Sequence, residues 1–188
     1  MTRKPALDIT PETLETATGT TKAALEATKA RMGMVPNMYF YMAKLPGVLE
    51  GYLSTYDNFR KTAGFTPAEQ EIVFLTVSRT NACEYCMAAH SMIADKWSGV
   101  APDVLAALRA GQPLPDAKLQ ALSRFVQTMV EKRGNATRAD VDAFLAAGYG
   151  EQQVLGVVLG IACKTFSNFV NHLAATEVDP AFAPYKVG

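Results

Sequence analysis

Apolar residues recur three and four positions apart through most of the chain while alternating β-branched runs are scarce, so the hydrophobic pattern predicts helices and no sheet. A first helix is predicted over 20–32. After Val35-Pro36, the residues Tyr39, Met42, Leu45, Leu49, Tyr52, Tyr56 and Phe59 form a broad apolar stripe interrupted at Pro46-Gly47. That pattern reads as two helices separated by a turn, with these side chains as core packing. Thr66-Pro67-Ala68-Glu69 has the form of a capping box with proline at the first helical position, so another helix starts there and is expected to end near Thr80-Asn81.

Further on, Gly99 to Pro102 reads as a turn, and Asp103 to Arg109 as a short helix closed by Gly111. Leu119, Leu122, Phe125, Val126, Met129 and Val130 mark an amphipathic helix stopping at Gly134, and Thr137-Arg138-Ala139-Asp140 caps another that ends near Gly148. The last helix, over about 151–175, is apolar on nearly all sides and is expected to be central, with Gly156 and Gly160 admitting a neighbouring helix closely. The two ends carry less pattern. Residues before Gly19 suggest a loosely held arm with at most a short helix, and the tail with Pro180 and Pro184 is expected to run extended over the surface. The division expected is an arm with a short helix over 1–35, followed by a single all-helical domain over 36–188.

Composition narrows the function classes. With 188 residues, 49% of them hydrophobic, the chain can bury one substantial core. Lys plus Arg and Asp plus Glu balance at 18 each, so no strong field favours nucleic acid or anionic lipid, and a small neutral or weakly charged substrate fits better. Met1-Thr2-Arg3-Lys4-Pro5 is followed by threonines and charges rather than an apolar signal core, and the longest apolar stretch, 154–163, is too short to span a bilayer. A cytoplasmic protein without a membrane segment is expected. Three cysteines cannot all pair within one chain, so any bridge formed in a reducing compartment is expected to be a working one.

The chemistry-bearing stretch runs from Glu71 to His90 and reads E-x11-C-x2-C-x3-H. On one helix, at about 100° per residue, Cys86 lies about 60° and His90 about 20° behind Cys83, so a dithiol and an imidazole share a stripe. Asn81, with Glu84 three residues on, is a plausible N-cap, and thiols in a first helical turn feel the positive end of the helix dipole. A thiolate can attack an electrophile, a second sulfur can resolve the product as an intramolecular disulfide, and the imidazole can carry the proton. In a continuous helix Glu71 would stand roughly 18 Å from Cys83, so its participation requires a reversal near Asn81. Such a reversal brings Glu71 level with His90 in an antiparallel pair, where the carboxylate can orient the ring.

This segment resembles the core of the AhpD-like alkylhydroperoxidases of the carboxymuconolactone decarboxylase superfamily. Asn81-Ala82-Cys83-Glu84-Tyr85-Cys86 and the later run Asn168-Phe169-Val170-Asn171-His172 extend the likeness to the core and the C-terminal helix. The resemblance implies a single-domain all-α bundle, assembly as trimers or hexamers, and peroxidase activity on a small-molecule hydroperoxide. It implies no bound cofactor, with the enzyme regenerated by an external dithiol of lipoyl type or by a lipoylated protein. By the same analogy Cys86 is the peroxidatic sulfur, Cys83 the resolving thiol and proton donor, and Glu71 with His90 the proton relay. Tyr85 stands where the best-known members carry a histidine.

Two other readings compete. Acid and base alone could decarboxylate or isomerise a lactone, as the superfamily's decarboxylases do without a CxxC pair. Alternatively, Cys83, Cys86 and His90 could anchor a structural zinc in a non-enzymatic oligomer, with Cys163 or His172 completing the ligands. Cys163 reads as an inert buried thiol, His172 as a dipole or surface contact at a helix end, Glu69 as a capping residue and Glu84 as an N-terminal helix charge. Trp97 and Arg79 are left to packing or surface roles.

Overall fold

The computed structural model describes residues 4–187; the first three residues of the arm and Gly188 lie outside them. The order is α1 (Gly19–Met32), α2 (Asn37–Met42), α3 (Pro46–Thr62), α4 (Pro67–Thr80), α5 (Glu84–Lys96), α6 (Pro102–Ala110), α7 (Ala117–Glu131), α8 (Arg138–Ala146) and α9 (Glu151–Ala174), with a 3₁₀ helix at Pro180–Tyr185. The helices form an all-α single domain. Local sequence explains the boundaries: Thr66 and Glu69 make the expected capping box at α4, Thr137 and Asp140 repeat it at α8, and Gly111 closes α6 in the left-handed conformation.

α4 is the pivot. Every residue from Glu69 to Ser78 is buried, and α5, α6, α7 and α9 pack around it. Glycines let α9 approach closely, since a Cβ at Gly156 would stand 2.6 Å from the Ala63 carbonyl oxygen and one at Gly160 would stand 2.7 Å from Val73 Cγ1. Phe59 on α3 and Phe74 on α4 meet there with ring centroids 4.4 Å apart.

Three expectations are corrected. α9 is central on one face only: Gly156, Gly160, Cys163, Lys164, Ser167, Asn168 and Asn171 are buried, while Leu155, Val158, Phe169 and Leu173 form an exposed apolar stripe. An all-round apolar pattern does not say which side is covered. The arm is pinned, not loose, because the Ala6 and Leu7 amides donate to the Leu173 carbonyl, the Glu12 amide donates to Phe40, and Ala17 is buried. The tail coils into its 3₁₀ helix against α5, with Phe182 and Asp179 buried beneath it. Asp179 accepts the Asn37 amide at 3.1 Å and the Tyr85 hydroxyl at 2.5 Å, which gives these otherwise unsatisfied groups a partner.

Candidate active site

The α4–α5 connection performs the required reversal in three residues. Asn81 caps α4 at its C-terminus, Ala82 adopts a positive φ of 54°, and Cys83 becomes the N-cap of α5, its amide donating to the Ser78 carbonyl. Asn81 is therefore not the N-cap of the cysteine helix. Its side-chain amide instead donates to Asn168 Oδ1 at 2.9 Å, which ties the turn to α9. Cys86 falls in the first turn of α5, where the helix dipole favours an anion.

Folded back in this way, α4 and α5 bring Glu71 Oε2 to 2.8 Å from His90 Nδ1. Arg60 reaches in from α3, with Nη2 2.5 Å from Glu71 Oε1 and 2.8 Å from the Tyr56 hydroxyl. Glu71 is fully buried, and burial works against its ionisation. His90 and Arg60 outweigh that and hold the carboxyl below its ordinary range. Burial and the Lys164 charge press His90 below its usual value against the pull of Glu71, so the ring is neutral at pH 7. A carboxylate accepting from Nδ1–H leaves Nε2 as the proton acceptor of the imidazole.

Both thiols are buried and reduced. The Cys83 thiol donates to the Cys86 sulfur, and that bond together with burial pushes Cys83 far up. Burial opposes ionisation of Cys86 as well, but the bond from Cys83, the Lys164 charge and the Ser167 hydroxyl overcome it and hold this thiol well below its ordinary value. Asn171 adds an amide at 3.4 Å from Cys86 Sγ and 3.9 Å from Cys83 Sγ. The two sulfurs are thus differentiated, Cys83 pushed up and Cys86 held down.

A cavity of about 250 Å³ lies beside this cluster, lined by Met38, Tyr39, Tyr52, Tyr56, Tyr85 and Phe182 among others, with His90 and Arg60 as its inner polar groups. Exposed Trp97 and Arg31 stand at its mouth. Tyr39, Tyr52 and Tyr56 therefore do more than fill the core, as their stripe had suggested. Met38, also on the wall, accepts from the same Asn171 amide that touches the sulfurs, at 3.5 Å.

All four residues singled out by the motif meet in one place. Arg60, Lys164, Ser167 and Asn171 joined them unannounced. Lys164, Ser167, Asn168 and Asn171 recur at helical spacing on an otherwise apolar helix, a polar stripe that is legible in the sequence, whereas Arg60 carries no such signal. Cys163 is buried with its thiol pushed up to about 12, chiefly by burial, and reads as inert. Glu69 and Glu84 sit at the N-termini of α4 and α5, as their capping and dipole readings require. His172 is half-buried in the last turn of α9. Among the described residues no three His, Cys, Asp or Glu side chains are grouped so as to hold a metal ion.

The fold and the dithiol site define the class, a helical CxxC protein of the AhpD type. Residues 46–127 match the model of the carboxymuconolactone decarboxylase family. The solved structures it is similar to include an uncharacterized peroxidase-related protein with an AhpD core from Ralstonia eutropha JMP134, at 19% identity and a TM-score of 0.82 over 95% of each chain. A second is an uncharacterized peroxidase-related protein from Silicibacter sp. TM1040, at 22% identity and a TM-score of 0.78 over 97% of this chain and 96% of that one. A third is the debrominase Bmp8, at 15% identity and a TM-score of 0.72 over 95% of each chain, which is also solved as a cysteine-to-alanine variant with 2,3,4-tribromopyrrole. At these identities the likeness carries the fold. No curated protein matches the chain.

Proposed function

We propose that the protein is a thiol-dependent peroxidase acting on organic hydroperoxides. The observation that carries this reading is the buried, differentiated Cys83–Cys86 pair beside the Glu71–His90 couple. The Cys86 thiolate attacks the terminal oxygen of the hydroperoxide, the O–O bond breaks, and Cys86 becomes a sulfenic acid. The Cys83 proton, passed through His90, neutralises the departing alkoxide as an alcohol. The Cys83 thiolate so formed attacks the sulfenic sulfur, the disulfide closes, and the expelled hydroxide takes a proton from solvent. An external dithiol, free or as a lipoyl group on a partner protein, then restores both thiols while being oxidised to its own disulfide. This regeneration fits a reducing cytoplasm. The aromatic wall of the cavity suits the hydrocarbon part of an organic hydroperoxide better than hydrogen peroxide.

The test is peroxide consumption with a dithiol reductant, paired with mass spectrometry of trapped thiols. Cys86→Ser is expected to abolish turnover, and the parent chain to show a Cys83–Cys86 bridge after mild oxidation. Full turnover by Cys86→Ser would refute the reading. A second reading is favoured by the likeness to the debrominase together with the aromatic cavity. In it the same dithiol reduces a halogenated aromatic, forming a disulfide, the dehalogenated ring and hydrogen halide, and halide release on incubation with bromopyrroles separates the two. Lactone decarboxylation by Glu71 and His90 alone would survive alkylation of both cysteines, and neither sulfur-based reaction would. We further propose that the chain assembles as a homo-oligomer through the exposed stripe of α9.

A further inference from the structure

We infer that Lys164 is the buried counter-ion of the Cys86 thiolate, a positioning residue that sets the reactivity of the sulfur without touching the electrophile. It rests on Cys86 being the reactive sulfur of the proposed reaction, but not on which electrophile that sulfur attacks.

Lys164 is wholly buried, and its Nζ has no hydrogen-bond partner among the described residues. Its Nζ lies 5.3 Å from the centroid of the Phe74 ring, which also lies against His90 and beneath Arg60. A cation over an aromatic face gains something, but far less than a buried ammonium loses by leaving water. A buried cation so placed calls for an anion beside it.

The local charges leave one candidate. From α4, Glu71 is already held by Arg60 of α3 on one oxygen and by His90 of α5 on the other. Asp179, ahead of the tail helix, is engaged by Tyr85 and the Asn37 amide. No carboxylate forms an ion pair with Lys164 among the described residues. Tyr39 of α2, Tyr52 and Tyr56 of α3, and Cys163 of α9 face the cluster with their ionisation suppressed by burial, and Cys83 holds its proton. Only Cys86 is favoured as an anion, and Lys164 and Cys86 act on one another electrostatically. With Glu71 matched to Arg60 and His90 neutral, a Cys86 thiolate against a Lys164 ammonium leaves the buried cluster without net charge. Ser167 and Asn171, one turn and two turns along α9 from Lys164, supply the hydrogen bonds that a lysine at this position does not.

The test reads the thiolate without any peroxide. The rate of Cys86 alkylation by iodoacetamide, followed by mass spectrometry across pH 5 to 10 on the full reduced chain, gives the midpoint at which the thiolate forms. Lys164→Met keeps the length and removes the charge, and is expected to move that midpoint up by about one unit or more, a tenfold or greater loss of thiolate on the acid side. Lys164→Arg is expected to restore most of it. A midpoint in Lys164→Met unchanged from the parent, in protein with parental circular dichroism, would overturn the assignment. Should that variant fail to fold, the parent chain still decides. Alkylating Cys86 removes the anion, and the ¹³Cε resonance of the buried lysine is expected to shift as its counter-charge disappears, whereas an unmoved resonance overturns the proposal. A shifted midpoint in a chain that does not consume peroxide would sink the peroxidase reading and leave this one standing.

Discussion

At the scale of single residues, the site depends on one carboxylate serving two partners. Glu71→Gln keeps the shape but leaves the Arg60 guanidinium, only partly exposed, without its anion and leaves one acceptor oxygen where Arg60 and His90 each had their own. Breaking such a pair is expected to cost about 2 to 4 kcal/mol, the lower end reflecting the part of Arg60 that solvent can screen. Chemical denaturation measures this, and an unchanged midpoint would remove Glu71 from its structural role. The pH dependence of stability follows from the same groups. His90 is depressed in the folded state, so its contribution is complete above its ordinary value of about 6.5 and is lost as the pH falls below it. Glu71 is also depressed, so its contribution is present above the ordinary carboxylate range and disappears through the more acidic range beneath. The melting temperature is therefore expected to fall on going from pH 7.5 to pH 4, and a flat or rising profile would contradict the assigned ionisation states.

At the scale of elements, the contact of α9 with α3 and α4 decides whether Lys164 and Asn171 reach the sulfurs. Gly160 sits where a Cβ would meet Val73 at 2.7 Å and Phe59 at 2.9 Å. Gly160→Ala is expected to destabilise by about 1 to 3 kcal/mol, since overpacking exceeds the gain of about 1 kcal/mol that alanine brings to a helix interior. Gly47, with nothing within 4 Å of an added Cβ, is the control. There Gly47→Ala is expected to be neutral or stabilising. Equal effects at the two positions, measured by thermal melts, would mean that α9 does not depend on close approach. Capping boxes and glycine stops made most of these boundaries readable from local sequence, because capping satisfies backbone groups within a few residues.

At the scale of the molecule, the exposed apolar residues of α9 are unusual for a surface otherwise balanced in charge. Leu155, Val158, Phe169 and Leu173 continue into a groove of about 470 Å³ shared with Met129 and Val130 of α7. The proposed homo-oligomer, expected as a trimer or hexamer, predicts that light scattering on the parent chain gives a mass several times 20.3 kDa. It also predicts that Phe169→Glu combined with Leu155→Glu reduces that mass to the monomer's. A monomeric parent at micromolar concentration would end the proposal. The tail belongs to this scale too, because Tyr85, at the position where the best-known AhpD-like proteins carry a histidine, anchors Asp179 and Phe182 over the cavity.

What the sequence determined by itself was the helical class, most helix limits and the spacing that joins Glu71, Cys83, Cys86 and His90, because periodicity, caps and a short motif act over a few residues of chain. It also required the reversal near Asn81, since a straight helix could not bring carboxylate and imidazole together. Tertiary structure alone decided which face of α9 is covered, where the two chain ends are pinned, and that Arg60, Lys164 and Asn171 converge on the motif from helices far away in the sequence. Those outcomes depend on how distant surfaces pack and on which buried charges find partners, and neither quantity is written into any one stretch of residues.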